Sequence, residues 1–429
     1  MTENIVITGA GIVSAIGLGK EETLRSLLDE RTGIAPLHYL HNGQQGLPAG
    51  EVKLTDEEMK QRLNIGHEPT TRTTLMGMMA LEEALGEARL WDKATKLPMK
   101  DKEQRVALVS GTTVGGMDKS EQFYTDFVDN DSHNDYIRVH DCGSTTELIA
   151  SHFSQPAATG PRGEAKRTAT CPPVPPESLF SMLATPSTAC SSAANAIIMG
   201  ANLLRGGMAD IAVVGGAECI TRFHLNGFQS LMIIDQRQCR PFDANHTGLN
   251  LGEGAAYMVM ETAGHALRRG ACPIARLSGY GNACDAHHQT ASSEDGQGAF
   301  IAMQKALRMA CLRPQDIDYV NAHGTGTPNN DASESQALRR LFNEALPPIS
   351  STKGMTGHAT SASGAIEAVI CLLALRHSFL PANMGFTTPM EGGITPVMHT
   401  VDNHPLHHVL CNSFGFGGND TSIILSETT

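Results

Sequence analysis

Short, almost wholly apolar runs alternate along the chain with longer stretches whose apolar residues return at helical spacing. The runs include Ile5-Val-Ile-Thr8, Val106-Ala-Leu-Val-Ser-Gly111, Ile211-Ala-Val-Val-Gly-Gly216, Ile274-Ala-Arg-Leu-Ser278, Tyr319-Val-Asn-Ala322 and Val409-Leu-Cys-Asn412. Apolar runs of this length predict strands covered on both faces. Ile197-Ile-Met-Gly-Ala-Asn-Leu-Leu204 and the small-residue stretch from Ala359 to Leu375 predict helices. Strands alternating with helices predict a layered α/β fold. The elements also echo one another. The run at Ile5 is matched by that at Ile274, Val106 by Tyr319, Ile211 by Val409, and the helix after Cys190 by the helix after His358. The pattern suggests α/β architecture, with duplication as an open possibility.

Composition narrows the class without naming a function. A chain of 429 residues exceeds one typical domain, although two halves sharing a core are equally allowed. A net charge of −13 argues against broad nucleic-acid binding. The ten cysteines have no CxxC spacing, which predicts reduced thiols in a cytoplasmic protein rather than a disulfide framework. No signal-peptide pattern is visible at Met1-Thr-Glu-Asn4, and no apolar run reaches the length needed to span a bilayer.

Candidate chemistry concentrates at three turns. The string Thr185-Pro-Ser-Thr-Ala-Cys-Ser-Ser-Ala-Ala-Asn-Ala196 sets Cys190 in a small-residue elbow at a helix start. Unpaired backbone N–H groups and the positive helix end are expected there to stabilise a thiolate, the nucleophilic form. A buried structural cysteine is the plain alternative. Asn321-Ala-His-Gly-Thr-Gly-Thr-Pro328 heads a Gly/Thr-rich loop with His323, and Ser351-Thr-Lys-Gly-Met-Thr-Gly-His358 brings His358 to the start of a second helix. One Cys and two His suit a nucleophile with two imidazoles. A metal site is the rival, but Cys190 lacks a close-spaced second ligand.

Together these motifs resemble the decarboxylating β-ketoacyl-[acyl carrier protein] synthases of the thiolase superfamily. The resemblance runs from Asn4-Ile-Val-Ile-Thr-Gly-Ala-Gly11 through Arg240-Pro-Phe-Asp243 and Gly252-Glu-Gly-Ala255 to Asn412-Ser-Phe-Gly-Phe-Gly-Gly418. A Cys-His-His set is similar to the elongating synthases. Thiolases carry Cys-His-Cys, the CoA-primed synthases Cys-His-Asn, and chain-length factors lack the nucleophile.

The resemblance implies a duplicated five-layer αβαβα fold with halves at 1–265 and 266–429. It implies Cys190 as acyl carrier, the backbone N–H groups of Cys190 and Phe416 as oxyanion hole, and neutral His323 and His358 as enolate stabilisers. Lys353 is expected to pair with Glu334 behind the histidines, Thr325 and Thr327 to meet phosphopantetheine, and Phe416 to gate the acyl pocket. No bound cofactor is implied, since phosphopantetheine arrives on the acyl carrier protein. A homodimer or a heterodimer with a related ketosynthase is implied, serving fatty acid or type II polyketide/polyene synthesis. The alternative is a ketosynthase-like partner that only decarboxylates malonyl-carrier or scaffolds another synthase.

Lys60, Arg62, Arg72 and Arg237 are candidates for docking an acidic carrier. Three segments depart from the family pattern. Residues 154–183 form a Pro-rich stretch expected to be an inserted loop. His246-Thr-Gly-Leu-Asn250 and Gly417-Gly-Asn-Asp420 differ from the common strings.

Overall fold

The computed structural model describes residues 4–40, 46–99, 103–154, 178–343 and 345–428. Among the described residues ten strands form the main sheet. They are β1 (Ile5–Ser14), β2 (Val106–Gly111), β3 (Met182–Ala184), β4 (Ile211–Glu218), β5 (Gly254–Thr262), β6 (Ala275–Cys284), β7 (Tyr319–Asn321), β8 (Ile349–Ser350), β9 (His408–Gly415) and β10 (Asn419–Ser426). Six helices matter most to the site. They are α1 (Arg72–Glu87), α2 (Ser192–Arg205), α3 (Arg222–Ser230), α4 (Gln297–Ala310), α5 (Pro328–Phe342) and α6 (Ser363–His377).

The strand order is β8-β7-β9-β10-β6-β1-β5-β4-β2-β3. Outward from the centre, β1-β5-β4-β2-β3 and β6-β10-β9-β7-β8 are the same sequence of roles. The pairings agree as well. The two innermost contacts of each set are antiparallel and the two outermost parallel. β1 and β6 join the sets through Ile5–Leu277, Val6–Arg276 and Ile7–Ala275. The four echoes seen in the sequence fall on corresponding strands and helices.

Five layers follow from where the apolar faces are spent. α2 and α6 lie in the middle, in contact with each other, with α2 against β4 and β2 and α6 against β5 and β9. Their shared core includes Ile197, Val214, Met258, Ile366, Val409 and Ile423. α1 covers the outer face of one strand set, with Leu81, Val213 and Val259 buried between. α4 and α5 cover the other, with Met303, Leu338 and Leu410 buried between. Every residue of α6 from Ser363 to Leu375 is buried, as a helix apolar all round must be.

Glycine sets the closeness of both outer helices. A Cβ on Gly11 would stand 2.0 Å from Ala80 O of α1, and one on Gly281 would stand 2.1 Å from Ala302 O of α4. Any side chain there would push helix from sheet, so the same device seats both helices.

Two expectations about segments change. The stretch 154–183 lies largely outside the described residues, but its ends do not. Ser154 and Ser178 form a β-bridge. Leu179 and Phe180 are buried, and Met182 and Leu183 belong to β3, so the end at 178–183 is part of the fold. The helix expected from Ala359 begins instead at Ser363, preceded by a 3-10 turn over Thr360–Ala362. Among the described residues no helix is long and apolar enough to cross a membrane.

Candidate active site

β3 leads into the elbow that carries Cys190. Ala189 adopts φ 52°, a left-handed backbone that an L residue enters only at a cost, and the chain then turns into α2. Ser192 closes the elbow by accepting from Thr188 N (2.9 Å) and donating to Ala189 O (2.6 Å). Cys190 is buried. Burial pushes its thiol up to about 12, and Glu218 adds to the rise. Lys353 and the backbone N–H groups of Phe416 and of Cys190 itself pull the other way without winning. The expected resting thiolate is therefore corrected to a thiol. The helix start supplies donors, but desolvation of the charged form outweighs them. Those same N–H groups converge on the sulfur, where an oxyanion would form beside it.

β7 delivers the His323 loop. Gly324 and Gly326 take φ of 32° and 83°, and Pro328 opens α5. Glu334 of α5 accepts from His323 N (2.9 Å), Gly324 N (2.8 Å) and Asn412 Nδ2 (3.0 Å), so it anchors the loop by its backbone. Thr325 and Thr327 share a hydroxyl contact of 2.8 Å. Asp331 ties this loop to the Arg240–Asp243 string and to the departing string at His246, accepting from Phe242 N (2.7 Å) and Gly326 N (3.2 Å) and meeting His246 Nδ1 at 2.9 Å.

The third turn holds His358 after a single helical turn, Lys353–Thr356, and Gly357 at φ 73°. Asn250 contributes to its seat, since His358 N donates to Asn250 O (2.8 Å) and Gly252 N donates back to His358 O (2.9 Å). The rings of His323 and His358 meet edge to face, 5.3 Å between centroids. Burial drives both imidazoles well below their ordinary range. The Lys353 cation reinforces this for both, and His358 adds to it at His323 while His224 does so at His358. Both are neutral at physiological pH.

Lys353 does not pair with Glu334. Its ammonium bonds Glu367 of α6, donates to His323 O (2.6 Å) and lies 3.3 Å from His323 Nδ1. An ammonium has only donors, so this contact leaves the ring proton of His323 on Nε2. Glu367 was invisible as a partner because it is a lone acid inside an apolar helical run, and only the packing of α6 brings it to Lys353. Burial raises its carboxyl to about 7 against the pull of that lysine.

The three turns converge. Cys190, His323, His358, Thr325, Thr327, Phe414 and Phe416 all line one cavity of about 330 Å³. Phe416 also stacks on Phe228 of α3, 5.7 Å between centroids, a contact with no sequence signal. Asn419 donates to Phe416 O at 3.0 Å, which gives the unusual Asn a place in the loop.

The docking candidates divide. Arg72 is buried, with its guanidinium on Glu253 and on Asp56 (3.0 Å), and it donates to Leu54 O (2.9 Å) and Val52 O (3.0 Å). It is a structural cation and not a surface one. Lys60 is half-buried and pairs with Glu57 at 2.9 Å. Arg62 and Arg237 are exposed.

A duplicated five-layer α/β scaffold with a Cys and two neutral His at its central turns defines a thiolase-like condensing-enzyme class. Sequence models named Beta-ketoacyl synthase, N-terminal domain and C-terminal domain match residues 182–266 and 274–387. The chain is 31% identical over 438 residues to 3-oxoacyl-[acyl-carrier-protein] synthase 2 of Vibrio harveyi, covering 99% of this chain and 98% of that one. It is 32% identical over 443 residues to synthase 1 of Haemophilus influenzae, covering 98% of each. Among solved structures, a chain of the ishigamide ketosynthase/chain length factor superposes with TM-score 0.86 at 28% identity, covering 100% of both. A chain of the ketosynthase in complex with its chain length factor from Xenorhabdus doucetiae gives 0.79 at 28%, covering 99% of this chain and 98% of that one. The chain belongs to the β-ketoacyl synthase family.

Proposed function

We propose that this chain is a 3-oxoacyl-[acyl carrier protein] synthase that condenses malonyl-carrier onto an acyl group held by Cys190. The observation that carries the reading is one cavity lined by a buried thiol and two buried, neutral imidazoles. In the first step Cys190 Sγ attacks the acyl thioester. The C–S bond to the carrier breaks, and the thiol proton ends on the departing phosphopantetheine sulfur. The exchange is proton-neutral, so it does not require a resting thiolate. The tetrahedral oxyanion faces the N–H groups of Cys190 and Phe416, and losing one such donor typically costs about 3 kcal/mol.

In the second step malonyl-carrier loses carbon dioxide, and the electron pair moves onto the thioester oxygen. Nε2–H of His323, and the corresponding donor of His358, stabilise that enolate because neutral rings can donate there. The carbanion attacks the Cys190 thioester, and the sulfur leaves as thiolate and takes a proton. Lys353 fixes the tautomer of His323 rather than touching substrate. Thr325 and Thr327 face the incoming phosphopantetheine, and Phe416 gates the acyl pocket against Phe228.

The same reading takes the halves as 1–265 and 266–429, needs no resident cofactor, and places the protein in the cytoplasm, a compartment that suits the nine unpaired cysteines described. Its carrier partner is the acidic acyl carrier protein, met through Arg62 and Arg237. Its companion is a second copy or a related ketosynthase, in fatty acid or polyketide/polyene synthesis. The likeness to ketosynthase/chain length factor structures supports the heterodimeric option. The test is incubation with acyl- and malonyl-loaded carrier protein. A Cys190 acyl adduct and a 3-oxoacyl product two carbons longer are expected. Carbon dioxide release with no adduct would favour the non-condensing alternative.

A further inference from the structure

Behind the three turns lies a fourth group that the mechanism has not used. Glu218, the last residue of β4, is wholly buried. Its carboxylate accepts from Thr112 Oγ1 (2.5 Å), from Thr113 N (3.0 Å) and from the Thr113 hydroxyl, all in the loop after β2. It also accepts from Thr360 Oγ1 at 3.2 Å, a contact between residues 142 positions apart. His224 of α3 stands 3.8 Å away.

Thr360 is the informative partner. It is two residues past His358 and adopts φ 41°, a region that a β-branched residue occupies only as an outlier. Such a conformation persists only where the surroundings over-determine it. The strained turn is what separates His358 from α6. It lets the ring leave the helical path while Nδ1 stays 3.0 Å from Ser363 Oγ at the start of α6. The hydroxyl of Thr360 spends its hydrogen bond on Glu218, from the other half of the molecule, and Glu218 is rigidly held by the Thr112–Thr113 loop.

We infer that Glu218 is a positioning residue that clamps the Thr360 turn, and through it sets His358 against Cys190 for decarboxylation. The inference rests on the enolate-stabilising role proposed for His358. The clamp acts on one reaction of the two. Acyl transfer to Cys190 uses donors of the elbow and of the Phe416 loop, which the turn does not carry. Decarboxylation uses the His358 ring, and misplacement of a catalytic group by about 1 Å costs up to about a hundredfold.

The experiment measures both reactions on the full chain, using carrier protein loaded with hexanoyl or malonyl groups. Thr360→Val keeps the shape and removes the hydroxyl. It is expected to lower carbon dioxide release about tenfold or more, with acylation of Cys190, read by intact mass, unchanged within about twofold. Thr360→Ser restores the hydroxyl and is expected to restore release. Glu218→Ala is expected to lower carbon dioxide release as Thr360→Val does, and the double variant to release no less than Glu218→Ala alone, while acylation is compared on the Thr360 variants because Glu218 also raises the Cys190 thiol. If Glu218→Ala does not fold, the two Thr360 variants decide. A merely structural role would lower both reactions together, or only the melting temperature, and Val and Ser would then behave alike. That outcome, with a wild type active in both reactions, overturns the clamp alone. A wild type that performs neither reaction overturns the functional reading and the clamp with it.

Discussion

Cys190 and His358 occupy matching places in the two halves. Each sits on a turn with left-handed backbone beside it, Ala189 at 52° and Gly357 at 73°, just ahead of one of the paired central helices. Burial acts on both, and it moves their proton affinities in opposite directions, up for the thiol and down for the imidazole. The result is nevertheless the same, because both end in the uncharged form. The comparison teaches that the duplicated scaffold does not create a charged nucleophile and a charged acid. It creates two neutral groups, one that exchanges acyl chains without net proton release and one that donates an N–H to a developing enolate.

The largest expected effect breaks the N-terminal side of the comparison. Cys190→Ala should form no acyl-enzyme and no condensation product, while its stability changes by only about 1 kcal/mol, in the usual range for a point substitution. Intact mass and thermal unfolding check the two halves of that statement.

Next in size is Lys353→Met, which leaves Glu367 buried without its cation. A cost of about 3 kcal/mol in stability is expected, read by urea unfolding. The same variant removes a positive charge that depresses both histidines. Their titration should move upward toward 6.5, visible as an acid limb in the pH profile of carbon dioxide release. The wild type should show no histidine limb between pH 8 and 6, and a limb at about 7 that survives in His358 and His323 variants would belong to Glu367. The sign for stability agrees. Groups with lowered folded values contribute fully above 6.5, and that contribution is lost as pH falls toward the folded values.

Phe416→Ala sharpens the comparison from the cavity side. It should slow condensation several-fold and broaden chain-length preference, with Cys190 still open to small alkylating agents. Stability loss with unchanged products would make Phe416 a packing residue only. The smallest effect is expected from Arg237→Glu, a rise of a few-fold in KM for the carrier with kcat unchanged, as suits one exposed charge.

Much of this was legible in the sequence because the chemistry sits at turns, where small residues and strand ends mark themselves. The three turns of Cys190, His323 and His358, and the echo between Ile5 and Ile274, needed only local pattern. What escaped was decided by long-range packing. Glu367 read as part of an apolar helix, and its pairing with Lys353 depends on where α6 lies. Arg72 read as one of several basic side chains, yet it meets Glu253 across 181 positions. The charge state of Cys190 differs from the sequence expectation for a related reason. A helix start can be seen in a sequence, whereas the depth at which the fold buries it cannot.

The most direct test of the two neutral groups is His358→Ala, assayed for acylation and decarboxylation on one preparation. The account predicts that Cys190 still acquires the acyl group at close to the wild-type rate, while carbon dioxide release from malonyl-carrier falls by two orders of magnitude or more, within the about 10²–10³ range for loss of one preorganised donor. Normal carbon dioxide release by that variant, or loss of acylation with release intact, would contradict it.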